Sequence, residues 1–177
     1  MSNIVEQLKE PFPANSIRWR VGATNAKKNN GVATKGIALA YVNARDVMKR
    51  FDDVCGDLWQ CKYSHMGSKA TICEIGIKID DEWLWRANGA GETDIEGEKG
   101  SMSDAFKRAA VLWGVGRYLY YIKNEWVALD TFKEFAPPKL PDFATPEGYR
   151  KSLHNAKQLN KTVDAIIEAL TAGDSDA

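Results

Sequence analysis

Apolar and polar residues alternate most cleanly between Cys73 and Ile79, where Cys73, Ile75, Ile77 and Ile79 are separated by Glu74, Gly76 and Lys78. A period of two puts the first set on one face of a strand. The pattern predicts a strand over 70–79, flanked by strands at about 58–66 and 83–89, with Asp80-Asp81 as the tight turn between the last two. Upstream, Ile17, Trp19 and Val21 alternate with Arg18 and Arg20, a strand with one apolar and one basic face. The turn-forming stretch NAKKNNG at 25–31 and a strand over 32–41 complete a hairpin. A helical period takes over at 43–55, where Ala44, Val47, Met48 and Phe51 share one side and Arg45, Lys49 and Asp52 lie away from it. A short helix is predicted at 2–9, stopped by Pro11 and Pro13, and a short strand at 126–129.

A second helix follows the glycine- and acid-rich stretch that begins at Gly89. Ser101 and Asp104 make a capping-box pattern for its start. Ala105, Ala109, Leu112, Trp113 and Gly116 then recur with helical spacing, and the small members let the helix lie close to whatever it covers. Lys107 and Arg108 fall off this stripe and can present two fixed cations. After Asp130, Pro137, Pro138, Pro141 and Pro146 mark an extended linker. Thr145-Pro146-Glu147 starts a further helix, which carries Leu153, Ala156, Leu159, Val163, Ile166, Ile167 and Leu170. The predicted organisation is a domain over 1–130, a proline-rich linker over 131–146 and a helical appendage over 147–177. The fold class is α+β: an antiparallel β-meander with helices packed on one face, plus a C-terminal amphipathic helix.

The chain has 177 residues, 44% of them apolar, enough for a proper core. No run approaches 18 apolar residues and the start lacks a signal-peptide pattern, so a soluble, cytoplasmic protein is expected. Cys55, Cys61 and Cys73 lack CxxC spacing and read as unpaired, mostly buried thiols. Net charge is zero but segregated. Residues 1–51 carry nine Lys/Arg against three acids, residues 52–104 five against twelve, and residues 105–123 four against none. A basic stripe formed by the first and third blocks would need Arg45 and Lys107-Arg108 to approach in space.

These segments resemble the Rad52/Rad22 family of single-strand annealing recombination proteins, including its phage members. The resemblance is carried by Gly89, Gly91 and Glu92, then Lys99, Ser101, Ser103-Asp104-Ala105, Phe106-Lys107-Arg108-Ala109 and Gly114. A second match is Tyr41-Val42-Asn43-Ala44-Arg45, the apolar-basic run to Gly56, and Trp59. It covers roughly residues 17–130 as several motifs in order. It implies ATP-independent binding and annealing of single-stranded DNA in recombination and double-strand break repair. Subunits would form a ring or short helix whose inner groove holds one strand, bases outward, through to an annealed duplex intermediate. Family members often place another Arg one turn beyond the basic pair, where this chain has Val111; Arg117 stands further along.

The residues themselves weigh the alternatives. GAGETDIEG lacks a terminal GK[ST] and does not fit GxGxxG, so a nucleotide loop is poorly supported. Asp80, Asp81 and Glu82 sit at a turn, and Glu92, Asp94, Glu96 and Glu98 alternate in a loop without a nuclease-like lysine. His65 and His154 have no cysteine cluster for zinc, and no serine has a matching His and acid. No enzyme, metal or cofactor is therefore expected. Single-strand binding needs cations along a groove with apolar or aromatic walls. Lys107 and Arg108 are the first candidates for phosphate contacts and Arg45 the second. Arg18, Arg20, Lys27, Lys28 and Lys35 on the hairpin, and Arg117, complete the set. The C-terminal helix would pack on its own domain or a neighbouring subunit, or dock a single-strand-binding or recombination protein. A coating protein that does not anneal and an oligomeric interaction module remain open readings.

Overall fold

The fold was obtained as a computed structural model, which describes residues 3–26, 30–66, 70–91 and 97–173. The elements run α1 (Asn3–Lys9), β1 (Arg18–Thr24), β2 (Lys35–Tyr41), α2 (Ala44–Cys55), β3 (Trp59–Met66), β4 (Ala70–Ile79), β5 (Glu82–Gly91), α3 (Gly97–Leu112), β6 (Glu125–Ala128) and α4 (Pro146–Gly173). Short 3-10 turns stand at Arg117–Tyr121 and Asp142–Ala144. The class is α+β, as the sequence pattern predicts. The strands divide into two antiparallel sheets, ordered β1-β2-β6 and β3-β4-β5. The second is the predicted meander. The first is the predicted hairpin, with β6 returning to pair Ile37 with Trp126. Local alternation marks strands but not their distant partners, so this split is not visible in the sequence.

The β4–β5 hairpin shows how local chemistry sets the register. Asp80 and Asp81 both adopt positive φ, +51° and +66°, the pair of left-handed conformations that a two-residue hairpin turn demands. That register lines Cys73, Ile75 and Ile77 along one face of β4, all fully buried. Helix α3 lies over β4 and β5 on Ala105 and Ala109, also fully buried. Its Trp113 indole N–H donates to the Ile75 carbonyl at 3.0 Å, fixing the helix end to the sheet. Phe106, off the predicted stripe, is equally buried, edge-on to Phe51 of α2, which stacks on Trp59 at 5.0 Å. The helix is thus apolar on two sides, against the sheet and against α2.

Helix α3 starts at Gly97, not at a Ser101 cap. Ser101 is buried against β4, and its hydroxyl shares a 3.0 Å hydrogen bond with that of Thr71. A buried hydroxyl needs such a partner, so the residue that reads as a cap serves the helix–sheet contact instead. Two guanidinium groups close the other end of α3. Arg117 donates to the Val111 and Leu112 carbonyls at 2.7–3.0 Å, and Arg86 donates to the Leu112 carbonyl while lying over Trp113. They satisfy carbonyls that a helix terminus leaves unpaired. Gly114 and Gly116 then take φ +98° and +69°, turning the chain away from the helix.

Helix α4 is capped by Thr145, whose hydroxyl accepts from the Gly148 N–H at 3.1 Å. Its base is tied by a 2.6 Å Arg150–Glu10 ion pair, and residues 154–167 are all exposed. Among the described residues, no helix is long and apolar enough to cross a membrane.

Candidate nucleic-acid interface

Arg20 of β1, the strand β2 beside it and the outer side of α3 enclose one groove of about 330 Å³. Its floor is apolar, from Ala38, Ala40, Val42, Val47, Val111 and Val115. Among the described residues, three cations line it: Arg20, Lys107 and Arg108. Arg20 pairs directly with Leu39, which also lines the groove. Lys107 and Arg108 arrive because Ala105, Phe106, Ala109 and Ala110 bury the rest of the helix circumference. Tyr120, exposed on the 3-10 turn, and Asn124 stand at the margin. Arg20 of the first charge block thus shares a groove with Lys107 and Arg108 of the third, whereas Arg45 does not line it.

The two neighbouring cations differ in their electrostatic setting. Arg108 Nε lies 2.8 Å from Asp104 Oδ2, and that hydrogen bond and charge raise the guanidinium pKa further. Asp104 also lines the groove. Among the described residues, Lys107 has no ion-pair partner. Arg20, Lys107, Arg108 and Asp104 together leave a net charge of +2 around an apolar floor. Phosphates can meet the cations while uncharged groups rest on the floor. The Asp104–Arg108 pair is readable from its i,i+4 spacing, although Asp104 first reads as a cap.

The remaining basic candidates sit elsewhere. Arg45, on the first turn of α2 between the groove residues Val42 and Val47, is exposed and outside the lining. Arg18 shares the Arg20 face one pleat further along, opposite Tyr41. Lys35 opens β2 opposite Ala128. Arg117 is committed to the end of α3, so it does not replace the cation missing at Val111. Lys27 and Lys28 lie outside the described residues, as do Glu92, Asp94 and Glu96. Sequence reading missed Tyr120 and Asn124 as groove residues, because nothing local marks a turn residue as facing a distant helix.

Among the described residues, no group of His, Cys, Asp or Glu is placed to hold a metal ion. Burial pushes the Cys55 thiol up to about 11 and Cys73 up to about 12. Both stay protonated near neutrality, unlike an activated nucleophile.

Comparison with known proteins bears on this groove. Residues 1–135 match the model of the Rad52/22 family double-strand break repair protein. The chain is 32% identical over 158 residues to the single-stranded DNA-binding protein DdrA of Deinococcus deserti, covering 85% of this chain and 74% of that protein. It is equally similar to DdrA of Deinococcus radiodurans, 32% over 158 residues, covering 85% and 71%. No solved structure matches the chain significantly.

Proposed function

The chain belongs to the Rad52/22 family of double-strand break repair proteins, and on that premise we propose that it binds single-stranded DNA in the groove of Arg20, Lys107 and Arg108. The observation that carries this reading is their convergence on one apolar-floored groove. Similarity to two proteins named as single-stranded DNA-binding supports the same ligand. In the proposed mechanism several copies form a ring or short helix that joins their grooves. Cations hold the sugar-phosphate backbone and leave the bases free to find a complement. Duplex stacking supplies the driving force, so neither ATP nor a metal is consumed. Arg45, Arg18 and Lys35, exposed on the surrounding elements, would extend the phosphate track beyond the groove.

The second reading, a coating protein that does not anneal, is favoured by those relatives' printed names. One experiment separates the two. Annealing of complementary fluorescent oligonucleotides is followed without ATP, at low and high salt, for the wild type and Lys107→Ala/Arg108→Ala. Annealing means acceleration by the wild type that the variant loses. Each phosphate contact on a single strand contributes a log–log salt slope of about −0.7, so the variant should flatten the binding slope by about 1.4. Tight binding without acceleration leaves the coating protein. Normal binding and annealing by the variant would remove the groove from the argument.

A further inference from the structure

The 3-10 turn that follows α3 is anchored through four of its side chains and their neighbours. Arg117 holds the Val111 and Leu112 carbonyls, and the buried Tyr118 hydroxyl accepts from the Phe12 N–H at 2.9 Å. Leu119 and Ile122 pack against the core. Two tyrosines of the same turn stay in water, Tyr120 at 70% and Tyr121 at 71% exposed. Tyr120 lines the groove of Arg20, Lys107 and Arg108, and Tyr121 does not. Successive residues of a 3-10 turn point about 120° apart, which accounts for the difference. The groove's other tyrosine, Tyr41, is half-buried at the end of β2. A single open aromatic ring is thus carried into the groove on a fixed stretch of backbone, beside its cations.

We propose that Tyr120 is a stacking platform for one unpaired base of the strand in the groove. The inference rests on the strand passing through that groove, and it adds a base contact where the cations supply backbone contacts. Lys107 and Arg108 attract the phosphates of any nucleic acid, single- or double-stranded. An aromatic face takes up a base only when that base is out of the duplex stack. Tyr120 therefore gives the groove a preference for unpaired strands that charge alone does not. Every base has a π-face, so the preference is blind to sequence. The anchored turn favours the contact. A tyrosine ring turns on only two side-chain torsions, and on a fixed backbone it loses little freedom when a base covers it. Each copy of the chain holds one base in this way, and bases outside the groove stay free to pair.

Fluorescence anisotropy of the full chain at low salt tests this with two labelled strands of equal length, poly-dT and a strand whose sugars carry no bases. Tyr120→Ala should weaken poly-dT binding about 5- to 150-fold, the range for losing one base–aromatic stack. The log–log salt slope should not change, because no phosphate contact is lost. On the abasic strand, wild type and Tyr120→Ala should bind alike. Tyr120→Phe keeps the ring and Tyr121→Ala lies outside the groove, so both should bind poly-dT as the wild type does. An equal loss on the two strands would mean that the ring serves the fold, the assembly or the backbone, and would overturn the proposal. So would a loss in Tyr120→Phe as large as that in Tyr120→Ala. Lys107→Ala separates failure of the platform from failure of the groove. If Lys107→Ala weakens binding and Tyr120→Ala does not, the groove stands and the platform falls; if neither does, the strand passes elsewhere and both fall.

Discussion

Asp104→Asn should tighten strand binding. The carboxylate lies 2.8 Å from Arg108 and lines the groove, so it neutralises one of three cations there. Both side chains are well exposed, 52% for Arg108 and 38% for Asp104. Such an i,i+4 pair contributes only about 0.3–0.5 kcal/mol to the fold, so stability should barely move. The groove charge rises from +2 to +3. A phosphate about 6 Å from the lost carboxylate gains about 0.7 kcal/mol in water, or roughly threefold in affinity at low salt. Screening shrinks the gain near physiological salt, where the Debye length is about 8 Å. A released Arg108 that meets its own phosphate steepens the log–log salt slope by about 0.7. Fluorescence anisotropy with a labelled poly-dT oligonucleotide across a salt series reads both quantities, with Tm as the check on folding. Lys107→Ala moves the groove charge the other way and should lose a similar factor. An Asp104→Asn protein of unchanged Tm that binds no tighter at low salt would mean the strand does not pass through this groove.

Three other outcomes test the core and its titratable groups. Trp113→Phe trims a buried indole to a phenyl ring and removes its hydrogen bond to the Ile75 carbonyl, and should cost roughly 2–3 kcal/mol in urea unfolding; under about 1 kcal/mol would contradict the packing. Burial pushes the Tyr118 phenol from 10.0 up to about 12, so between those pH values the folded chain keeps a proton the unfolded chain has lost. Stability should therefore fall as pH rises through that window while Tyr118 leaves it unaffected below pH 10, and Tyr118→Phe should flatten that part of the Tm profile. Its hydroxyl also accepts from the Phe12 N–H at 2.9 Å, so the variant should lose about 1–2 kcal/mol near neutrality. Against a thiol reagent at pH 8, half-buried Cys61 should react first, with Cys55 and Cys73 waiting for unfolding; three equally fast thiols would contradict their burial.

Much of the local structure is determined by the sequence alone. A strict period of two commits Cys73–Ile79 to a half-buried strand, and two adjacent aspartates can take the left-handed turn that folds it back on β5. Helical spacing selects the buried side of α3 and leaves Lys107 and Arg108 outside it, so half of the groove is legible before any contact is known. These are short-range consequences of backbone geometry. The tertiary structure decides what depends on which distant segments meet. It pairs β6 with β2, opposes Ser101 to Thr71 and spends Arg117 on the carbonyls of Val111 and Leu112. It brings Arg20 to Lys107 across almost ninety residues of chain and leaves Arg45 outside the lining. A cation reads the same in sequence whether it caps a helix, pairs with a neighbour or faces an open groove. Only packing separates these roles, because charge acts through distance in space and the chain records distance in residues.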